Sequence, residues 1–108
     1  MGTRQESFAA FVLDQLEGLE GVSARRMFGG HGLYLGEGFF GIIHDGRLYF
    51  RTDAASRPGY EKAGMRPFSP NAKQTLKNYF EVPADVIESP RRLREWALRA
   101  AAAARGAA

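Results

Sequence analysis

The 108-residue sequence has no cysteine at all, only two histidines and a single tryptophan. Without cysteine there can be no disulfide, no thiolate metal site and no cysteine nucleophile. No apolar run approaches the ~20 residues that a membrane-crossing helix needs. The opening residues Met1 to Glu6 also lack the apolar core of a signal peptide. Cytoplasm is therefore the default expectation. Charge of one sign is scarce as well: the formal net charge is +3. Twelve of the fifteen basic residues are arginine, a bias that genome composition produces as readily as function does. What is present is ordinary for a globular chain, 44% hydrophobic and 25% charged residues. The length suits one domain spanning residues 1–108, with an Ala/Arg-rich tail from about residue 100.

Charge is unevenly spread. Glu6, Asp14, Glu17 and Glu20 make the start acidic. Arg91, Arg92, Arg94, Arg99 and Arg105 make the end basic. Thr3 and Glu6 have the spacing of a capping box. Phe8, Phe11, Val12, Leu16 and Leu19 follow at helical spacing, predicting a helix over about residues 4–19. Ser89-Pro90 is an N-cap followed by a first-turn proline, and Leu93, Trp96, Ala97 and Ala100 form the buried stripe of a closing helix. A single helical turn is expected at residues 83–87, and another near residues 58–63 within a connection over residues 53–70.

Between the terminal helices the pattern changes to alternation. Strands are expected over residues 23–28, 31–35, 39–44, 47–51 and 75–82. Asp45-Gly46 is the strongest hairpin signal, because a two-residue type I′ turn needs positive φ at both positions. It pairs His44 with Arg47, Ile43 with Leu48, Ile42 with Tyr49 and Gly41 with Phe50. A three-residue turn at Gly36-Glu37-Gly38 pairs Leu35 with Phe39 and Leu33 with Gly41, whereas a two-residue turn at Glu37-Gly38 flips the first strand. With the three-residue turn, directly opposed residues share a face. Leu33, Leu35, Phe39, Ile43, Leu48 and Phe50 then form an apolar face beneath helices. Tyr34, Phe40, Ile42, His44, Arg47, Tyr49 and Arg51 form the opposite face. The fold class is α+β: an antiparallel sheet of about five strands with the N-terminal and C-terminal helices packed on one face.

No constellation for chemistry emerges. Gly29, Gly30 and Gly32 lack the spacing of a phosphate-binding loop and no helix starts there, so they read as a turn between strands. His31 and His44 point to opposite faces of the paired strands and cannot share a metal. The serines at 7, 23, 56, 69 and 89 sit in no nucleophile pattern, and Asp45 and Asp53 are explained as turn and cap residues. No catalytic, metal or cofactor residues are assigned.

The runs Met27-Phe28-Gly29-Gly30-His31-Gly32-Leu33-Tyr34 and Asp45-Gly46-Arg47-Leu48-Tyr49-Phe50-Arg51-Thr52-Asp53 resemble the TfoX amino-terminal domain family. Gly64-Met65-Arg66-Pro67-Phe68 and Tyr79-Phe80-Glu81-Val82-Pro83 continue the likeness, which covers about residues 8–100. The resemblance implies an α+β sandwich of sheet and helices and a link to positive regulation of competence genes. Longer regulators of that kind carry a further helical domain, which residues 1–108 do not include. The family brings no catalytic residues to carry over.

The aromatic and cationic face is the feature with functional promise. Tyr34, Phe40, His44, Arg47, Tyr49 and Arg51 have the chemistry of an interface core, where Tyr and Arg are enriched. The expectation is a non-enzymatic regulatory or adaptor module with a protein partner, a second copy of the chain included. The alternative is a nucleic-acid binder that uses the same face and the basic last helix. A third reading is that the last helix or residues 54–70 cover this face.

Overall fold

The computed structural model describes residues 4–27 and 29–106. The first helix, α1, spans Arg4–Gln15. It ends four residues before the apolar spacing does. Past Gln15 the chain tightens into i→i+3 bonds, Glu17 N–H to Asp14 O at 3.1 Å and Leu19 N–H to Leu16 O at 2.8 Å, and Gly18 disfavours another α-turn. The cap expected from Thr3 and the Glu6 side chain lies outside the described residues, as does Phe28.

The strands are β1 (Val22–Met27), β2 (Gly30–Leu35), β3 (Gly38–His44) and β4 (Arg47–Arg51). A short helix α2 (Arg57–Lys62) leads to β5 (Pro67–Asn71) and β6 (Gln74–Glu81), then α3 (Ala84–Ile87) and α4 (Pro90–Gly106). The described strands form one six-stranded antiparallel sheet in the order β1-β2-β3-β4-β6-β5. The strand beyond the expected five is β5. Pro67 and Pro70 mark it as a loop in the sequence, but β5 is an edge strand, where a missing N–H costs little.

The Asp45-Gly46 turn has the geometry its residues require, with φ of 52° and 72°. All four expected β3–β4 pairs form, from Gly41 with Phe50 to His44 with Arg47. The preceding turn differs. Leu35 pairs with Gly38 across Gly36-Glu37, and positive φ falls on Gly36 alone, at 62°. Glycine at the first central position is what a II′-type turn needs. The register then shifts by one residue, so Tyr34 pairs with Phe39 while Leu33 still pairs with Gly41. Phe40 is the extra residue of a β-bulge. The bulge turns Phe40 to the helix side, where it is fully buried 5.6 Å from Phe50. Phe39 turns to the other side, 5.3 Å from Tyr34. The expected faces of these two phenylalanines are therefore exchanged, and Phe40 does not belong to the aromatic and cationic face.

On the helix side, Leu33, Phe40, Ile43, Leu48, Phe50, Phe80 and Val82 pack under Val12 of α1, Leu16 just after it, and Leu93, Ala97 and Ala100 of α4. Alanines on α4 let its backbone lie close to the sheet. Ser89 starts α4 as its sequence predicts: its Oγ accepts the Arg92 N–H at 3.3 Å and its carbonyl accepts the Leu93 N–H at 2.8 Å. Gly41 leaves room for its strand neighbours, since a Cβ there would sit 3.1 Å from Phe50 Cδ1 and from Tyr49 O.

Candidate interaction face

The side of the sheet away from the helices carries a smaller cluster: Ile42, Phe68 and Tyr79, with Phe39, Tyr49 and Leu76 packed around them. The irregular β5–β6 register produces it. Phe68 pairs with Leu76, yet the neighbouring Pro67 pairs with Phe80. This offset bends the hairpin, and Phe68 comes to lie 4.7 Å from Tyr49 and 5.3 Å from His44. Residues 54–70 thus cover part of the face, as the third reading anticipates, and the last helix covers none of the aromatic side chains there.

The uncovered part is a row of stacked groups crossing five strands. The Arg25 guanidinium lies 4.5 Å from the centroid of Tyr34. Tyr34 and Phe39 are 5.3 Å apart, and Phe39 and Tyr79 are 5.4 Å apart. Arg51 closes the row, its guanidinium 5.6 Å from the Tyr79 ring centroid. Cations over rings contribute about 0.5–1 kcal/mol each at exposed sites. Gly32 makes room for the row: a Cβ there would come within 3.0 Å of Phe39 Cε1 and 2.6 Å of Met27 Cε. Tyr34 and Phe39 are half-buried and Arg25 is exposed, so the row presents its edges to solvent from rigid strands.

Of the six residues singled out in the sequence, Tyr34, His44, Arg47, Tyr49 and Arg51 share this side, and Phe40 does not. His44 and Tyr49 lie under Phe68, and burial raises the Tyr49 phenol, with Glu81 adding to the effect. Arg47 pairs with Glu81 at 3.2 Å. With the Arg47 side chain 60% exposed, that pair contributes roughly 0–1 kcal/mol. Burial likewise raises the Tyr79 phenol, opposed by the hydrogen bond and charge of Arg51. Arg25, Phe39 and Tyr79 escape the sequence reading. Extending the register to β1 would have found Arg25, which pairs with Gly32 and so shares a side with Ile42 and Tyr49.

Among the described residues no group of three or more His, Asp or Glu side chains is placed to hold a metal ion. His31 pairs with Ile43 on the helix side of the sheet, while His44 stacks on Phe68 on the other. Asp53 acts as a cap: its Oδ1 accepts the N–H groups of Ala55 at 3.1 Å and Ser56 at 2.9 Å. Those hydrogen bonds, that of Ser56 foremost, hold its carboxyl below the usual range. No helix among the described residues is long and apolar enough to cross a membrane.

A helix-backed antiparallel sheet with a stacked aromatic and arginine row on its open side defines the chain as an α+β domain. A family model for the TfoX N-terminal domain matches residues 14–104. The chain belongs to that family. It is 34% identical over 84 residues to the DNA transformation protein TfoX1 of Aliivibrio fischeri, covering 76% of this chain and 38% of that protein. It is also 35% identical over 98 residues to an uncharacterized 12.7 kDa protein in the trpE 5′ region of Spirochaeta aurantia, covering 91% of this chain and 80% of that one. The chain therefore spans well under half the length of the Aliivibrio relative.

Proposed function

We propose that this domain is a non-enzymatic regulatory adaptor, acting by protein–protein contact in the control of DNA transformation. The setting rests on the family and on the Aliivibrio relative being a DNA transformation protein. The contact surface rests on one observation, the row Arg25–Tyr34–Phe39–Tyr79–Arg51 on the open side of the sheet. Tyr and Arg dominate interface hot spots because they bury large rigid area and still satisfy polar groups. Strands hold these side chains in place before binding, which lowers the ordering cost of association. Tyr34 is the anchor, Arg25 sits at its rim, and a homodimer through this row is one form the contact can take.

The nucleic-acid reading has weaker support. Its basic features are split, with Arg25 and the rings of the row on the open side of the sheet and the body of α4 on the helix side. Two arginines of α4 are also matched, Arg91 to Glu95 at 2.9 Å and Arg92 to Asp85 at 3.0 Å.

The test immobilises the chain and its Arg25→Ala/Tyr34→Ala variant, both shown folded by circular dichroism, and compares the proteins each retains from the native cell. Retention by the parent chain and loss with the variant is the expected result. Identical retention, or in its place nucleic-acid binding that falls steeply with salt, contradicts the proposal.

A further inference from the structure

Away from the aromatic row, the end of β4 opens into a cleft walled by α2 and the C-terminal half of α4. Its smaller lobe, of about 70 Å3, is lined by residues that include Arg51, Tyr60, Trp96 and Arg99. The larger, of about 290 Å3, is lined by residues that include Arg51, Asp53, Arg57 and Asn78. Arg51 lines both lobes, with Arg99 on the smaller and Arg57 on the larger.

Arg51 already engages Tyr79, and Arg99 and Asp53 attract each other through space. Among the described residues, however, none of the three arginines forms an ion pair: no carboxylate lies within that distance of Arg51, Arg57 or Arg99. Arg57 donates Nη2–H to Asn78 Oδ1 at 3.1 Å. The Nε atoms of both Arg51 and Arg57 are nevertheless buried with no hydrogen-bond partner. A buried charged donor left unsatisfied is costly, and because these Nε atoms are closed to solvent, it is the outer Nη groups that a ligand in the recess would meet. The acidic residue of the lining, Asp53, is already held by two backbone N–H groups, and positive charge remains in excess.

The other wall is aromatic. Tyr60 is buried, and its ring meets that of Trp96 edge-on at 4.8 Å. An apolar wall facing a few convergent polar groups is the usual build of a small-ligand site. The smaller lobe exceeds several-fold the ~10–15 Å3 that a single water needs, which leaves room for a tetrahedral oxyanion.

We propose that this cleft binds the phosphoryl group of a small organic phosphomonoester, with its organic part against Tyr60 and Trp96. Guanidinium forks match phosphate oxygens in geometry and charge. Each lobe presents two arginines, Arg51 with Arg99 or with Arg57, and paired guanidinium forks suit a dianion with three free oxygens. This site is separate from the contact surface proposed above, and only Arg51 is common to both.

Trp96 is the sole tryptophan and lines the cleft, so intrinsic fluorescence reads it directly. The full chain is titrated with phenyl phosphate, inorganic phosphate, benzoate and neutral benzyl alcohol. The expected result is saturable binding of phenyl phosphate with a Kd on the order of 1 mM or tighter. Inorganic phosphate should compete with it, benzoate should bind more weakly, and benzyl alcohol should give no response over the same range. Arg99→Gln and Arg57→Gln should each weaken phenyl phosphate about tenfold or more. Should Arg57→Gln unfold, Arg99→Gln carries the test, because Arg99 is exposed on α4. A flat titration, an equal response to benzyl alcohol, or unchanged affinity in Arg99→Gln overturns the site. Benzoate binding as tightly as phenyl phosphate overturns the phosphoryl assignment. None of these outcomes bears on Arg25 or Tyr34, so either proposal can fail alone.

Discussion

The two sides of this sheet are built differently from the same strands. The helix side joins α1, α3 and α4 to the sheet through one large cluster, with Val12, Leu33, Phe40, Leu48, Phe50 and Leu93 fully removed from water. Among the described residues, the open side's cluster buries Ile42, Phe68 and Tyr79, and leaves Tyr34, Phe39 and Tyr49 half-covered. A side that keeps large aromatics at half exposure draws less stability from them than the helix side draws from its buried ones. The bulge at Phe40 sharpens the contrast, since it places two adjacent phenylalanines in the two environments.

The contrast is broken most directly by truncating that pair. Phe40→Ala should cost about 3–5 kcal/mol, the usual range for a buried phenylalanine, and Phe39→Ala clearly less, measured by urea denaturation. Equal losses would mean that the sides do not differ. Gly32→Ala comes next: its methyl must displace Met27 and Phe39, and crowding of this kind typically costs about 1–3 kcal/mol. A neutral result there would place the row elsewhere. Ser89→Ala, which removes the cap of α4 on the helix side, should cost about 1 kcal/mol, visible as a lower melting temperature. The smallest effect belongs to Arg47→Gln on the open side, at about 0.5 kcal/mol or less, because its ion pair is exposed.

Proton linkage extends the comparison. Burial raises Tyr60 strongly on the helix side, and Tyr49 and Tyr79 by lesser amounts on the open side, from an ordinary value of 10.0. The native state therefore holds these phenols protonated at a pH where the unfolded chain releases them. Their contribution is complete below pH 10 and is lost as pH rises through the folded-state values. Stability should decline above about pH 10, and Tyr60→Phe should flatten that decline more than Tyr49→Phe does.

Much of the architecture is legible in the chain because it follows from backbone rules. Asp45-Gly46 dictates its turn through positive φ, and that turn fixes which faces Leu48, Tyr49 and Phe50 take. Ser89-Pro90 likewise dictates the start of α4. The bulge is not legible, because Phe39 and Phe40 are the same residue type and either suits a buried face. Strand β5 is hidden by prolines that only its edge position makes acceptable. Cover by Phe68 depends on a register offset between β5 and β6 that no local pattern encodes. Five of the six residues marked in the sequence fall on the open side. Two of them, His44 and Tyr49, turn out to lie beneath Phe68, and the row's other members come from β1, β3 and β6, whose register the hairpin alone does not set.

These differences make Tyr34 the cleanest probe, since Tyr49 is packed under Phe68 and Phe40 under α4. The decisive measurement is urea denaturation of Tyr34→Ala beside the unaltered chain. Loss of about 1 kcal/mol or less, with an unchanged slope, is the predicted outcome for a side chain placed for contact. A loss matching that of Phe40→Ala would show that Tyr34 holds the fold together, and would contradict the assignment of the open side to binding.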